Sequence, residues 1–225
     1  MDSNVHLILT EDGSHSLKNE ALNETYHSFH GAVQESAHVF IEMGLRHWCN
    51  HHEGTPSILE IGFGTGLNAY LSLIFAEKHA RPVAFETLET FPLPTEIYEN
   101  LNYADLIGEG ELPKYFQLLH SSDWGKPVEI TQHFFLKKLE TPVHDYSPTT
   151  PFNIIYFDAF APNKQPDMWT MEVIQKMYDS LAAGGFLVTY CAQGQFKRNL
   201  KQAGFTVEEL PGPPGKKEMV RALKK

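Results

Sequence analysis

The 225-residue sequence predicts an α/β protein built on a doubly wound, mostly parallel sheet, with a small N-terminal extension. Three observations carry that expectation. From Ile58 onward, apolar runs of strand length alternate with segments of helical periodicity. The first run breaks into Gly62-Phe-Gly-Thr-Gly66 and resumes as a helix. A later run, Phe152–Phe157, ends on Asp158, at the strand end where open sheets place their chemistry.

The N-terminal part reads differently. Val5–Thr10 alternates in polarity and Glu11-Asp-Gly-Ser14 is a turn, which together start a hairpin. Val39, Phe40, Met43 and Trp48 lie close to helical spacing and predict a helix over Ser36–Trp48. The expected division is an extension, residues 1–53, packed on a Rossmann-like domain, residues 54–225. That domain opens with strand Ile58–Ile61, helix Leu67–Lys78 and strand Pro82–Leu88. An elaborated helical connection over 92–118 leads to strands Val128–Leu136 and Phe152–Phe157. A helix over Asp167–Ala183 starts near Asp167 and stops at Gly184-Gly185. Strand Phe186–Cys191 and helix Gln195–Ala203 follow. Strands Thr206–Leu210 and Glu218–Leu223, joined by Pro211-Gly-Pro-Pro-Gly215, close the sheet, with one antiparallel strand expected at that end.

Composition narrows the class. With 42% hydrophobic and 20% charged residues, the chain supports a core and is not disordered overall. The start, MDSNVHLILTEDGS, lacks a basic segment followed by an apolar run, so no secretory signal is expected. No stretch approaches the ~20 apolar residues of a membrane helix. Cys49 and Cys191 read as reduced thiols, and the expected compartment is the cytoplasm. The net charge is −10, which taken alone disfavours nucleic-acid binding. Its distribution is uneven: from Lys197 to the end, eight basic residues face three acidic ones, so residues 1–196 carry −15. Such a tail is either a solvated face or a phosphate-binding one built from Lys197, Arg198, Lys201, Lys216 and Lys217.

A strand, a glycine turn and a helix form the nucleotide-binding arrangement at the first strand of an open sheet. Glycine lets a ligand approach the backbone without a Cβ in the way. The spacing here is G-x-G-x-G, not the G-x-G-x-x-G of dinucleotide sites, and Glu60 precedes the first glycine by two residues. A carboxylate there is a poor neighbour for a pyrophosphate and a reasonable one for a cationic ligand such as S-adenosylmethionine. Glu86 and Glu89 are the candidates for the ribose hydroxyls. Glu89 is preferred because it lies nearer the strand's carboxyl end.

The string Asp158-Ala-Phe-Ala-Pro-Asn-Lys-Gln-Pro-Asp-Met-Trp169 resembles the signature of the tRNA wobble-uridine 5-aminomethyl-2-thiouridine methyltransferases. Ile61-Gly-Phe-Gly-Thr-Gly-Leu-Asn68, Leu88-Glu-Thr-Phe-Pro-Leu93, Gln202-Ala-Gly-Phe205 and Gly215-Lys-Lys-Glu-Met219 resemble that family too, as do Glu24-Thr-Tyr26 and Val39-Phe-Ile41. The resemblance implies a class I methyltransferase that uses S-adenosylmethionine and acts on tRNA. It implies cofactor contacts at Tyr26, Glu60, Gly62, Gly64, Gly66, Asn68, Glu89 and Asp158, with Asp158 also the catalytic group. Phe160, Pro162, Lys164 and Trp169 would meet the substrate, although packing explains Trp169 equally well. The family also occurs fused to a flavin-binding oxidoreductase half, which is not expected here because the sequence stops just after the last methyltransferase strand. Leu136 and Lys137 stand where members can carry an acidic residue for adenine, so that position is unassigned. The cluster His47-Trp-Cys-Asn-His-His-Glu53 invites a zinc reading, but no Cys-x-x-Cys pair follows and methyl transfer needs no metal; none is expected. Three alternatives stay open: a class I methyltransferase with another amine or small-molecule acceptor, an aminopropyltransferase, and a binding domain without turnover.

Overall fold

In the computed structural model, which describes residues 5–225, Val5–Leu9 (β1), His15–Asn19 (β2) and Glu24–Thr25 (β3) form a small antiparallel sheet. The expectation of a chain without a secretory signal rests partly on residues 1–4, which lie outside the described residues. The β1–β2 turn closes on Asp12, whose carboxylate accepts from the Ser14 amide at 3.0 Å and the Thr10 hydroxyl at 2.8 Å.

One continuous helical run follows: Ala32–Ser36 (α1), a π-helical stretch Ala37–Arg46, and His47–His51 (α2). It starts earlier and ends later than the spacing of Val39, Phe40, Met43 and Trp48 predicts. Gly44 lets it lie close on the sheet; a Cβ there would sit 3.2 Å from Tyr156 and 3.3 Å from Val188.

The main sheet comprises Ser57–Ile61 (β4), Val83–Glu89 (β5), Pro127–Thr131 (β6), Phe134–Glu140 (β7), Phe152–Phe157 (β8), Leu181–Thr189 (β9), Thr206–Pro211 (β10) and Glu218–Leu223 (β11). Their order is β10-β11-β9-β8-β4-β5-β7-β6. The inner pairs are parallel, while β11 runs antiparallel to both β9 and β10. The expected antiparallel strand at that end is therefore β11, and β6 adds a second at the opposite edge.

The helices Leu67–Lys78 (α3), Thr95–Tyr98 (α4), Tyr103–Ile107 (α5), Pro113–Ser121 (α6), Met171–Ser180 (α7) and Gly194–Gln202 (α8) connect the strands. The two-residue period of β8 sends Ile154 and Tyr156 into one core, with Phe40, Leu73 and Phe116. Ile155 and Phe157 enter the other, with Val173, Met177 and Leu200. The N-terminal helical run and α3 thus cover one face, while α7 and α8 cover the other.

Two expected elements are redrawn. The single strand Val128–Leu136 is a hairpin that turns at Gln132-His133, where Thr131 Oγ1 accepts the His133 amide at 3.2 Å. Its second arm, β7, runs on to Glu140, because Lys138, only 1% exposed, behaves as a core residue. Its ammonium donates to the His120 carbonyl and lies 4.6 Å over the Trp124 ring. The second change concerns Asp167–Ala183. Pro166–Trp169 is a 3₁₀ turn, and α7 begins after Thr170, whose hydroxyl accepts from the Val173 amide at 3.4 Å. Leu181–Ala183 and both glycines already belong to β9. Both cysteines are free, and among the described residues no helix is long and apolar enough to cross a membrane.

Candidate active site

The ends of β4, β5 and β8 are laced together by backbone hydrogen bonds. The amides of Gly62 and Phe63 donate to the Leu88 carbonyl at 3.0 and 3.3 Å, and the Asp158 amide donates to the Ile61 carbonyl at 3.3 Å. Here the winding reverses, with β5 on one side of β4 and β8 on the other, which opens a crevice at the carboxyl ends. The crevice is a 930 Å³ cavity lined by the glycine loop, Asn68, Glu89, Phe91, Val143, Asp158 and Phe160, and closed from the N-terminal side by Leu22, Tyr26 and His27.

All three loop glycines take positive φ: +93° at Gly62, +49° at Gly64 and +73° at Gly66. A Cβ on Gly64 would sit 3.3 Å from the Tyr26 ring, and one on Gly66 only 2.7 Å from His120 Nε2. Tyr26 packs edge-on to Phe160 at 5.0 Å, so the extension supplies a wall of the site.

Glu89 accepts the Gly64 amide at 2.9 Å through one oxygen and the Thr90 and Phe91 amides at 2.8 and 2.9 Å through the other. Burial raises its carboxyl above the ordinary range while these amides oppose the rise. Glu86, the other candidate, points elsewhere; it binds the Tyr146 hydroxyl at 2.6 Å and Lys137 at 3.1 Å.

Asp158 lies beside Asn68, whose Nδ2 donates to Oδ2 at 2.8 Å. Burial lifts the Asp158 carboxyl to about 7, with the Asn68 bond pulling the other way. A carboxyl titrating there is poised to hold or release a proton at neutral pH.

Several expected contacts fall elsewhere. Glu60 is fully buried and does not line the cavity. Trp169 does not face it either; it is buried against Phe157 and Phe196 and donates Nε1–H to the Phe160 carbonyl at 2.8 Å. Its part is to fix the loop that carries Phe160. Pro162 lies outside the lining, and Lys164 ties the same loop to the extension through the Leu22 and Asn23 carbonyls at 3.1 and 2.9 Å.

The basic tail is partly neutralised. Lys197 pairs with Glu209 and Glu218 at 3.1 and 3.3 Å. Lys216 pairs with the buried Glu35 and lies 3.9 Å over the Tyr190 ring. Arg198 bonds Gln195 on its own helix, and Lys217 is exposed. Among the described residues no group of three or more His, Cys, Asp or Glu side chains is arranged to hold a metal ion.

Sequence reading missed Glu140, Val143, Met168 and the exposed Phe91 on the cavity wall. Glu140 stands at the carboxyl end of β7, the acidic strand-end residue sought at Leu136. Only the true length of that strand would have found it.

Residues 133–225 match the family model described as S-adenosyl-L-methionine-dependent methyltransferase. The match covers the C-terminal part of the chain, 93 of its 225 residues. The chain is 30% identical over 215 residues, 88% of its length, to the tRNA 5-methylaminomethyl-2-thiouridine biosynthesis bifunctional protein MnmC of Pseudoalteromonas atlantica. The protein of the same name from Campylobacter hominis is 29% identical over 92% of the chain. The chain spans 30% and 31% of the lengths of those two relatives. Among solved structures, MNMC2 from Aquifex aeolicus superposes over 98% of this chain and 70% of its own, with a TM-score of 0.81 at 22% identity. The amino pentose methyltransferase CalS10 from Micromonospora echinaspora superposes over 87% of this chain and 92% of its own, with a TM-score of 0.51 at 12% identity. Both likenesses concern the fold.

The residues present suit the cofactor. A cradle stripped of Cβ atoms, the α3 N-terminus without a side-chain cap, and Glu89 at a strand end meet a carboxylate-bearing nucleoside without a phosphate. Replacing Glu89 with Gln is expected to weaken S-adenosylmethionine binding about tenfold or more. Titration calorimetry checks this, with the nicotinamide dinucleotide as a control expected to give no heat.

Proposed function

We propose that this chain methylates the primary amine of 5-aminomethyl-2-thiouridine at the tRNA wobble position, giving 5-methylaminomethyl-2-thiouridine. The observation that carries the reading is Asp158, set on the cavity wall beside Gly62 and held by Asn68, its carboxyl lifted toward neutrality by burial. The names of the relatives supply the acceptor. Tyr26, Gly62, Gly64, Gly66, Asn68 and Glu89 form the cofactor side, and Phe160 forms the acceptor side. We divide the chain into residues 1–53, which close the site, and residues 54–225, which build it. We place the reaction in the cytoplasm, consistent with two free thiols.

S-adenosylmethionine, when bound, supplies the methyl group on a positively charged sulfur. An alkyl amine is protonated at neutral pH, with a pKa of about 10, and must lose a proton before its lone pair attacks. The amine, its first proton lost to solvent, would take the methyl group and with it the positive charge, and ionised Asp158 would accept a proton from that nitrogen. The walls contributed by Tyr26 and Phe160 hold the acceptor in line and exclude water.

The deciding test is nucleoside mass spectrometry of tRNA carrying 5-aminomethyl-2-thiouridine at the wobble position, incubated with the purified chain and cofactor. Appearance of the methylaminomethyl nucleoside supports the proposal. Methylation of free amines with no change in tRNA favours the alternative of a small-molecule acceptor, which the −10 charge and the ion pairs at Lys197 and Lys216 suit.

For tRNA docking, the candidates are Arg198, Lys201 and Lys217, which form no ion pair among the described residues. The double substitution Arg198→Ala, Lys217→Ala is expected to lower the slope of log affinity against log salt by about two units or less. Filter binding at several salt concentrations checks this. An unchanged slope makes the tail a solvated face.

A further inference from the structure

Glu60 sits in β4 just behind the cavity, with its side chain fully enclosed. One oxygen accepts the Thr87 hydroxyl at 2.7 Å, and the other, Oε1, has no partner. The groups that face it bring no cation. Thr87 comes from β5, Tyr156 from β8 and Asn68 from α3, and the charged neighbours are Asp158 and Glu89, both acidic. An ionised Glu60 would be an unpaired buried charge beside two other carboxylates, a costly arrangement. Asn68 shows the matching defect: its Nδ2 is engaged by Asp158, while its Oδ1 is buried without a donor. Asn68 also acts on the Glu60 carboxyl, pulling it down against the larger rise from burial.

We propose that Glu60 is kept as a neutral carboxylic acid and is a positioning residue that acts through Asn68 on Asp158. A proton on Oε1 turns an unpartnered acceptor into a donor, and Asn68 Oδ1 is a buried acceptor without a donor of its own. The amide is then fixed with Nδ2 toward Asp158, which holds that carboxylate in the orientation the acceptor amine needs. Burial, with the two neighbouring carboxylates, favours the same protonated state and outweighs the opposing pull of Thr87 and Asn68. The sequence reading, in which Glu60 faces a cationic ligand as a carboxylate, is replaced. The proposal rests on the functional reading only in giving Asp158 its place at the acceptor.

Glu60→Gln is the informative change, because a carboxamide copies the neutral acid: Oε1 accepts from Thr87 and Nε2 donates to Asn68. Turnover and cofactor affinity close to wild type are expected. Glu60→Leu removes both bonds. It is expected to lower kcat by about tenfold or more with little change in cofactor Kd, and to shift the titration midpoint of Asp158. The ¹³C carboxyl signal of Glu60 in the cofactor-free protein, assigned by its loss in Glu60→Gln, should keep the shift of a neutral acid at pH well above the ordinary carboxylate range. A Glu60 signal titrating in the ordinary carboxylate range overturns the proposal, as does loss of cofactor binding in Glu60→Gln. So does a folded Glu60→Leu variant with unchanged kcat and an unmoved Asp158 midpoint. If the functional reading fails instead, Asp158→Asn stays fully active while the Glu60 signal still reports its protonation.

Discussion

Asp158→Asn is expected to lower methyl transfer by about 10²–10⁴-fold while S-adenosylmethionine affinity changes far less. Asparagine keeps the shape and the Asn68 contact but cannot accept a proton. Single-turnover transfer to tRNA, with cofactor binding measured in parallel, separates the two effects. Equal loss of both would move Asp158 to the cofactor side. In the wild type the ionised form is the active one, so kcat/KM should rise with pH through about 7. The same substitution is expected to stabilise the fold. Asp158 titrates near its ordinary 3.8 in the unfolded chain and near 7 in the folded one. Below 3.8 both states hold the proton and nothing is gained. Between the two values the unfolded chain ionises first, so wild-type stability falls as pH rises; above about 7 the whole penalty is present. With allowance for the side chain's remaining exposure to the cavity, the penalty is on the order of 1–3 kcal/mol. The Tm advantage of Asp158→Asn should therefore grow from pH 4 to 7 and level off above it. A constant advantage across that range would contradict the raised carboxyl.

Gly64→Val is expected to abolish measurable cofactor binding. At φ +49° a β-branched residue is strained by roughly 1–2 kcal/mol. Its Cβ would also sit 3.3 Å from the Tyr26 ring, and the added methyls extend into the space between loop and ring. Relief requires Tyr26 to leave Phe160, which opens the acceptor wall as well. Calorimetry should show no binding, and circular dichroism should show a retained fold, because Gly64 lies on the cavity lip and the hydrogen bonds that lace β4, β5 and β8 begin elsewhere. Near-normal affinity would mean that the cofactor does not pass this loop.

Local pattern alone determined the layered α/β class, the glycine cradle, and the choice of Glu89 over Glu86. Each rests on short-range rules: two-residue alternation, helix punctuation, and the placement of ligands at strand ends. The family resemblance pointed to Asp158 as the candidate catalytic group and to Tyr26 at the cofactor pocket, from motifs more specific than the glycine loop, and both residues line the cavity. What tertiary structure decided depended on partners far away in sequence. The strand was expected to stop at Leu136, yet His120 and Trp124 receive Lys138, so β7 runs on and Glu140 reaches the cavity. Trp169 looked like a substrate wall, yet the bond to Phe160 and the rings of Phe157 and Phe196 draw it inward. Lys197 and Lys216 counted as free positive charge until Glu209, Glu218 and Glu35 were found beside them. Glu60 announced a carboxylate in the sequence, and only its enclosure among Thr87, Asn68, Asp158 and Glu89 sets its charge. A residue's type fixes what it is able to do; burial and neighbours, which the chain specifies only once it is folded, fix whether it carries a charge and what it faces.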